Sequence, residues 1–151
     1  MNWFLELIKN PFLLTSLSSW FVAQVLKTII YAIQNKKLDL DRLVGDGGMP
    51  SGHSATVSSL AVFCGLYFGF GTFQFAIAAI LAIIVCHDAM GVRLETGKQA
   101  LVINEIVEIL SSKELPEVKL KELVGHSPIQ VLAGILLGIV NALVMFFLVF
   151  N

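Results

Sequence analysis

Apolar residues run along this chain in long blocks, with polar residues gathered between them. Phe12 to Ile33 forms the first block, interrupted only by small hydroxyl residues, Gln24 and Lys27. From Gly47 to His87 no Asp, Glu, Lys or Arg occurs, a run of 41 residues. As helix that run measures about 60 Å at roughly 1.5 Å per residue. One bilayer crossing takes about 20 residues, so the run contains two crossings. The natural break is Gly69-Phe70-Gly71-Thr72, where glycines permit a tight turn. Pro128 to Phe150 supplies the last block. The pattern predicts an all-α integral membrane four-helix bundle in one domain, residues 1–151, with spans near 12–33, 50–69, 72–92 and 128–150.

The polar stretches complete the layout. Met1 to Lys9 is short and amphipathic, with Trp3 and Phe4 suited to the membrane interface. Residues 34–48 form a polar loop carrying Lys36, Lys37, Asp39, Asp41, Arg42 and Asp46. Residues 93–127 form a second one, with an extra helix predicted from about Thr96 to Ser112. There Glu105 and Glu108 break an apolar pattern of Ile103, Ile106, Val107 and Leu110, which suits an interfacial or partner-packed helix.

Composition agrees with a membrane chain: 56% hydrophobic, 14% charged and a mean hydropathy of +0.82 over 151 residues. The first span is too long for a signal-peptide core and lacks a convincing cleavage site, so it reads as retained. A net charge of −1 offers no basic surface for nucleic acid. Cys64 and Cys86 lie inside apolar spans and read as buried small hydrophobes rather than a disulfide. Three Lys/Arg residues lie in 34–48 and five in 93–127, against Lys9 alone on the other side. The positive-inside rule therefore predicts both polar loops in the cytoplasm and both termini outside.

This topology brings chemistry together. His53 opens the second span, Arg93 follows the third and His126 opens the fourth, all at one end of the bundle. Lys27 lies within two turns of the same end of the first span. Histidine is the side chain whose unperturbed pKa lets it exchange a proton near neutral pH. Around His53 the chain reads Gly47-Gly48-Met49-Pro50-Ser51-Gly52-His53-Ser54-Ala55, and around His126 it reads Gly125-His126-Ser127-Pro128. Each places a histidine, a small hydroxyl, a glycine and a proline at a helix start, where exposed backbone amides attract anions. The bland alternative for each is a capping histidine that faces water.

Other candidates carry similar alternatives. Lys27 is a phosphate cation or a snorkelling lysine. Arg93 is a bidentate phosphate fork or a helix-end anchor. Asp88 pairs with Arg93, Lys27 or a histidine, as a structural or a catalytic partner. Gln130, one turn after His126, has an amide oxygen able to orient the imidazole. Gly65/Gly69 and Gly134/Gly138 form Gly-x-x-x-Gly pairs, for packing within the bundle or for a homodimer. No Cys/His/Asp cluster has zinc spacing, and no Walker or dinucleotide loop occurs.

With Pro50-Ser51-Gly52-His53, Asp88-Ala89-Met90-Gly91-Val92-Arg93, Gly97-Lys98-Gln99-Ala100 and the stretch Leu120 to Pro128, the chain resembles the type 2 phosphatidic acid phosphatase superfamily. The resemblance is closest to its small, divergent bacterial and plant branch and covers most of the chain. It implies an integral plasma-membrane phosphatase, in a bacterium one of the inner membrane, that needs no cofactor. Its substrate is a lipid phosphate or polyprenyl diphosphate. By the resemblance His126 is the nucleophile and His53 the general acid, while Lys27, Ser51, the Gly52 amide and Arg93 hold phosphate oxygens. Two positions depart from the superfamily pattern. No Arg-Pro follows Lys27, with Lys36, Lys37 or Arg42 as substitutes, and Gln130 stands where an aspartate belongs, unless Asp88 supplies that charge. The alternative is a non-catalytic protein that binds or moves a phospholipid or anion in the same pocket. A vanadate haloperoxidase is disfavoured, because its cage needs more matched residues.

Overall fold

The computed structural model describes residues 2–39, 43, 45, 47–110, 120 and 125–150. Every regular element among them is a helix: α1 (Trp3–Ile8), α2 (Pro11–Asn35), α3 (Gly52–Phe68), α4 (Phe73–Met90), α5 (Val92–Leu110) and α6 (Pro128–Val144), which runs on as a π-helical turn, Met145–Val149.

Helix boundaries follow local capping chemistry. Asn10 caps α2, its Oδ1 accepting from the N–H groups of Phe12 at 3.0 Å and Leu13 at 3.2 Å, with Pro11 in the first turn. Thr72 starts α4 by accepting from Phe75 N–H. Between α3 and α4 the chain reverses at Gly69, whose φ of 96° belongs to the left-handed region that favours glycine.

Among the described residues three helical stretches are long and apolar enough to cross a membrane: Pro11–Asn35, Phe73–Ile109 and Pro128–Val149. The remaining predicted span, α3, has 17 residues, or about 26 Å, slightly short of a hydrocarbon core of about 30 Å. It occupies the centre of the bundle, packed against α6, α4 and α2.

The predicted extra helix needs correcting at its start. α5 begins at Val92, one residue after α4 ends, with only Gly91 between them. Residues 93–110 are therefore helix rather than a polar connector followed by helix. Positions 111 and 112, the predicted end of that helix, lie outside the described residues, as do Asp41, Arg42 and Asp46 of the first loop.

The bundle mixes many polar side chains into its apolar interior and is apolar without. Along α2 the buried positions are Thr15, Ser16, Ser19, Ala23, Gln24, Lys27 and Thr28; Ser51, the N-cap of α3, and Ser54, Ser58 and Ser59 along it are buried too. Leu132, Leu136 and Val140 of α6, and Ile80, Ile83 and Ile84 of α4, face outward. In lipid the apolar exterior is already solvated, so helix association rests on close packing and interhelical hydrogen bonds. Both are present. A Cβ on Gly134 would lie 2.5 Å from the Ser51 carbonyl oxygen, and one on Gly138 would lie 2.5 Å from that of Ala55. The Gly134/Gly138 pair thus works within the bundle, letting α6 lie directly on α3. Ser19 Oγ donates to the Ala55 carbonyl at 3.0 Å, and Asn141 Nδ2 donates to the Thr15 carbonyl and to Ser18 Oγ at 3.0 and 3.1 Å. Asn141→Ala should therefore lower unfolding stability in detergent by about 1 kcal/mol, while the outward Val140→Ala changes it little.

The two ends of the bundle differ. At one, Phe12 stacks on Phe68 with ring centroids 5.0 Å apart and meets the buried Phe63 edge-on at 5.2 Å. The other holds the polar motifs.

Candidate active site

Two backbone hydrogen bonds assemble the polar end. Ser51 N–H donates to the Gln130 carbonyl at 3.0 Å, tying the start of α3 to the first turn of α6. His126 N–H donates to the Ala89 carbonyl at 3.0 Å. That carbonyl lies in the last turn of α4, where helical acceptors are left over. Gly125 makes the second bond possible. A Cβ there would fall 2.3 Å from both Cα and N of Leu94, and 2.6 Å from the Arg93 carbonyl carbon. Only a glycine passes so close to the α4–α5 junction.

These ties set the two histidines face to edge, with ring centroids 5.9 Å apart and planes inclined by 62°. His126 is 1% exposed, whereas His53 is half-buried. They line one side of a small cavity of about 80 Å³, whose other walls are Trp20, Gln24, Lys27, Gly45 and Gly52. Lys27 is 4% exposed and its Nζ donates to the Gly45 carbonyl at 3.2 Å. Gln24 Oε1 is also buried, with no hydrogen-bond partner among the described residues. The amide assignment of such a side chain is interchangeable, so Gln24 can turn a donor towards the cavity. The α3 N-terminus, with its partial positive charge, ends here as well.

Not every predicted residue enters this cavity. Ser51 is fully buried and caps α3, its Oγ accepting from Ser54 N–H at 3.3 Å and from Ser54 Oγ at 3.0 Å. Arg93 is bound to Asp88, Nε to Oδ2 at 2.6 Å, with both side chains about two-fifths exposed. The pair sits at the α4–α5 junction beside Gly125. Gln130 gives its Oε1 to Ser127 N–H at 3.0 Å, so its amide oxygen caps α6. This differs from the expected role of orienting the imidazole. The Ser127 N–H at the start of α6 is a nearby orphan donor, and side chains three residues on commonly satisfy it. Lys36 and Lys37 follow the end of α2, and neither lines the cavity. Among the described residues no group of three His, Cys, Asp or Glu side chains is placed to hold a metal ion.

Trp20 and Gln24 were not legible from hydropathy, because they lie inside an apolar span. Their signal was helical spacing: Trp20, Gln24, Lys27 and Tyr31 fall at i, i+4, i+7 and i+11, one face of α2.

Comparison with known proteins agrees with these motifs. The family profile described as the divergent PAP2 family matches residues 8–141. The chain belongs to the divergent PAP2 family. The membrane protein YuiD of Bacillus subtilis (strain 168), described as uncharacterized, is 42% identical over 153 residues, covering 93% of this chain and 97% of that protein. No solved structure gives a significant match. Family membership and the membrane-spanning helices make this an integral membrane protein related to the phosphatase superfamily.

Proposed function

We propose that this divergent PAP2 protein is a membrane-embedded phosphatase that hydrolyses a lipid phosphate or polyprenyl (di)phosphate through a phosphohistidine. The observation that carries this reading is the pairing of His53 and His126 beside each other on a cavity that also holds the buried Lys27. A buried lysine within a span is costly unless it meets an anion or strong acceptors. Two imidazoles beside it offer the nucleophile and the acid that phosphoryl transfer uses.

In this mechanism a nitrogen of His126 attacks phosphorus as the P–O bond to the leaving group breaks. Protonated His53 gives its proton to the departing oxygen. Water then attacks the phosphohistidine; neutral His53 takes the proton, the P–N bond breaks and inorganic phosphate leaves. Lys27, the Gly52 amide and Gln24 stabilise charge on the equatorial oxygens, where fixed donors in a dry site act most strongly. Arg93 contributes its charge from the α4–α5 junction, anchored by Asp88. The Lys/Arg distribution supports a cytoplasmic placement of this end, at the inner membrane in a bacterium.

The test is phosphate release by detergent-purified protein from a panel of lipid phosphates, beside Lys27→Gln. The expected result is release by the wild type and a loss of at least about 100-fold in the variant, the scale of removing one charge-stabilising donor. A second reading, a non-catalytic binder of phospholipid or anion, is favoured by one observation: the position of the superfamily's aspartate is Gln130, and its amide oxygen caps α6. Binding of lipid phosphate without any release by the wild type would establish that reading instead.

A further inference from the structure

Lys27 borders a second cavity. This one, of about 250 Å³, lies between α2 and the start of α6; its lining includes Ile30, Tyr31, Gln34, Met49, Ile129 and Gln130 together with Lys27. Lys27 is the residue that both cavities share. Its stem is held in place by Gly48, where a Cβ would lie 3.2 Å from Lys27 Cγ and where φ is +82°. A side chain at position 48 would crowd the stem and strain the backbone.

The chemistry of the two spaces is complementary. The smaller has room for several water-sized groups among a lysine, two histidines and a glutamine, which matches a phosphoryl group and little more. The larger has three apolar walls, Ile30, Met49 and Ile129, with Tyr31, Gln34 and Gln130 as polar members beside Lys27. Its rim is open, since Ile129 is 64% and Met49 41% exposed, so an occupant can extend beyond it. A phosphate ester bound with phosphorus beside His126 must place its alcohol portion somewhere. Lys27 borders both spaces, its stem against Gly48 of the larger and its ammonium bonded to the Gly45 carbonyl of the smaller.

Resting on the phosphoryl-site reading above, we infer that the α2–α6 cavity is the leaving-group subsite. It admits the alcohol portion of the ester, selecting alcohols with a short polar head and an apolar body over small soluble phosphates. Ile30, Met49 and Ile129 are its specificity-determining residues.

The experiment reads occupancy rather than turnover. Ile129→Cys is alkylated with a water-soluble maleimide in detergent; both native cysteines, Cys64 and Cys86, are buried. The rate is compared without additive and with inorganic phosphate, neutral dioctanoylglycerol or dioctanoylglycerol phosphate. At ten times its dissociation constant the phosphate ester should slow labelling about tenfold by mass action, while the other two leave it unchanged. Met49→Cys, on another wall, should behave alike and guards against a local defect in one variant. Absence of protection by the ester, or equal protection by the neutral lipid or by inorganic phosphate, overturns the assignment. Labelling in the His126→Ala background keeps the ester intact, and phosphate release is measured on the same cysteine variants with His126 present, which separates the two readings. Protection without phosphate release sinks only the phosphatase, and release without protection sinks only the subsite.

Discussion

His126→Ala reduces phosphate release from a lipid phosphate by at least about 1,000-fold, and His53→Ala reduces it by about 100- to 10,000-fold, the range for removing a general acid. The two losses do not add. Once the nucleophile is gone no phosphohistidine forms, so the double variant is no slower than His126→Ala alone. The geometry underlies this expectation. The ring centroids are 5.9 Å apart and both rings border the same cavity, so one phosphoryl group bound there can reach both. His126 is 1% exposed and anchored through its backbone to Ala89, as a nucleophile needs to be if its attack angle is fixed. His53 is half-buried on the first turn of α3, nearer to the water that must enter for the second step. The assay is phosphate release in detergent, with each variant's melting temperature measured beside it. A His126→Ala protein that stays folded and keeps more than about one-tenth of wild-type release is incompatible with His126 as nucleophile.

The second large effect comes from a residue that touches no substrate. Gly125→Ala places a methyl 2.3 Å from the Leu94 backbone, where no side-chain rotation can relieve it. Either the Gly125–Ser127 segment or the α4–α5 junction must move, and the His126–Ala89 hydrogen bond connects the two. Overpacking of this kind costs about 1–3 kcal/mol, or roughly 2–10 °C in melting temperature for a chain of this size. Phosphate release should fall by about 100-fold in the protein that remains folded, because displacements near 1 Å carry that penalty. Gly71→Ala is the matched control: nothing lies within 4 Å of a Cβ at that position, so both melting and release should be unchanged. Equal behaviour of the two variants would remove Gly125 from the positioning of the site.

Legibility varied with the range of the interactions involved. The spans were readable because blocks of apolar residues and charge-free runs are imposed by the bilayer on each segment separately. The start of α5 was not, since Val92-Arg93-Leu94-Glu95 has the polarity of a loop and the break is a single residue, Gly91. The meeting of His53 and His126 at one end followed from counting crossings. Gln130 and Arg93 were harder. Each has a competing local partner, the Ser127 N–H and the Asp88 carboxylate, at a sequence distance of three and five residues. Sequence lists such partners without ranking them; geometry does that.

By itself, then, the sequence determined an all-helical membrane chain, the turn at Gly69–Thr72, its family and the end of the bundle where its chemistry gathers. These depend on hydropathy, length and short motifs, which act locally along the chain. Only the tertiary structure decided that α3 lies at the centre against Gly134 and Gly138, and that Trp20 and Gln24 join Lys27 in the cavity wall. It also decided that Gly125 threads past Leu94, and that Lys27 borders both a small polar cavity and a larger one with apolar walls. Those outcomes depend on close approach between residues far apart in sequence, where a few tenths of an ångström separate contact from exclusion.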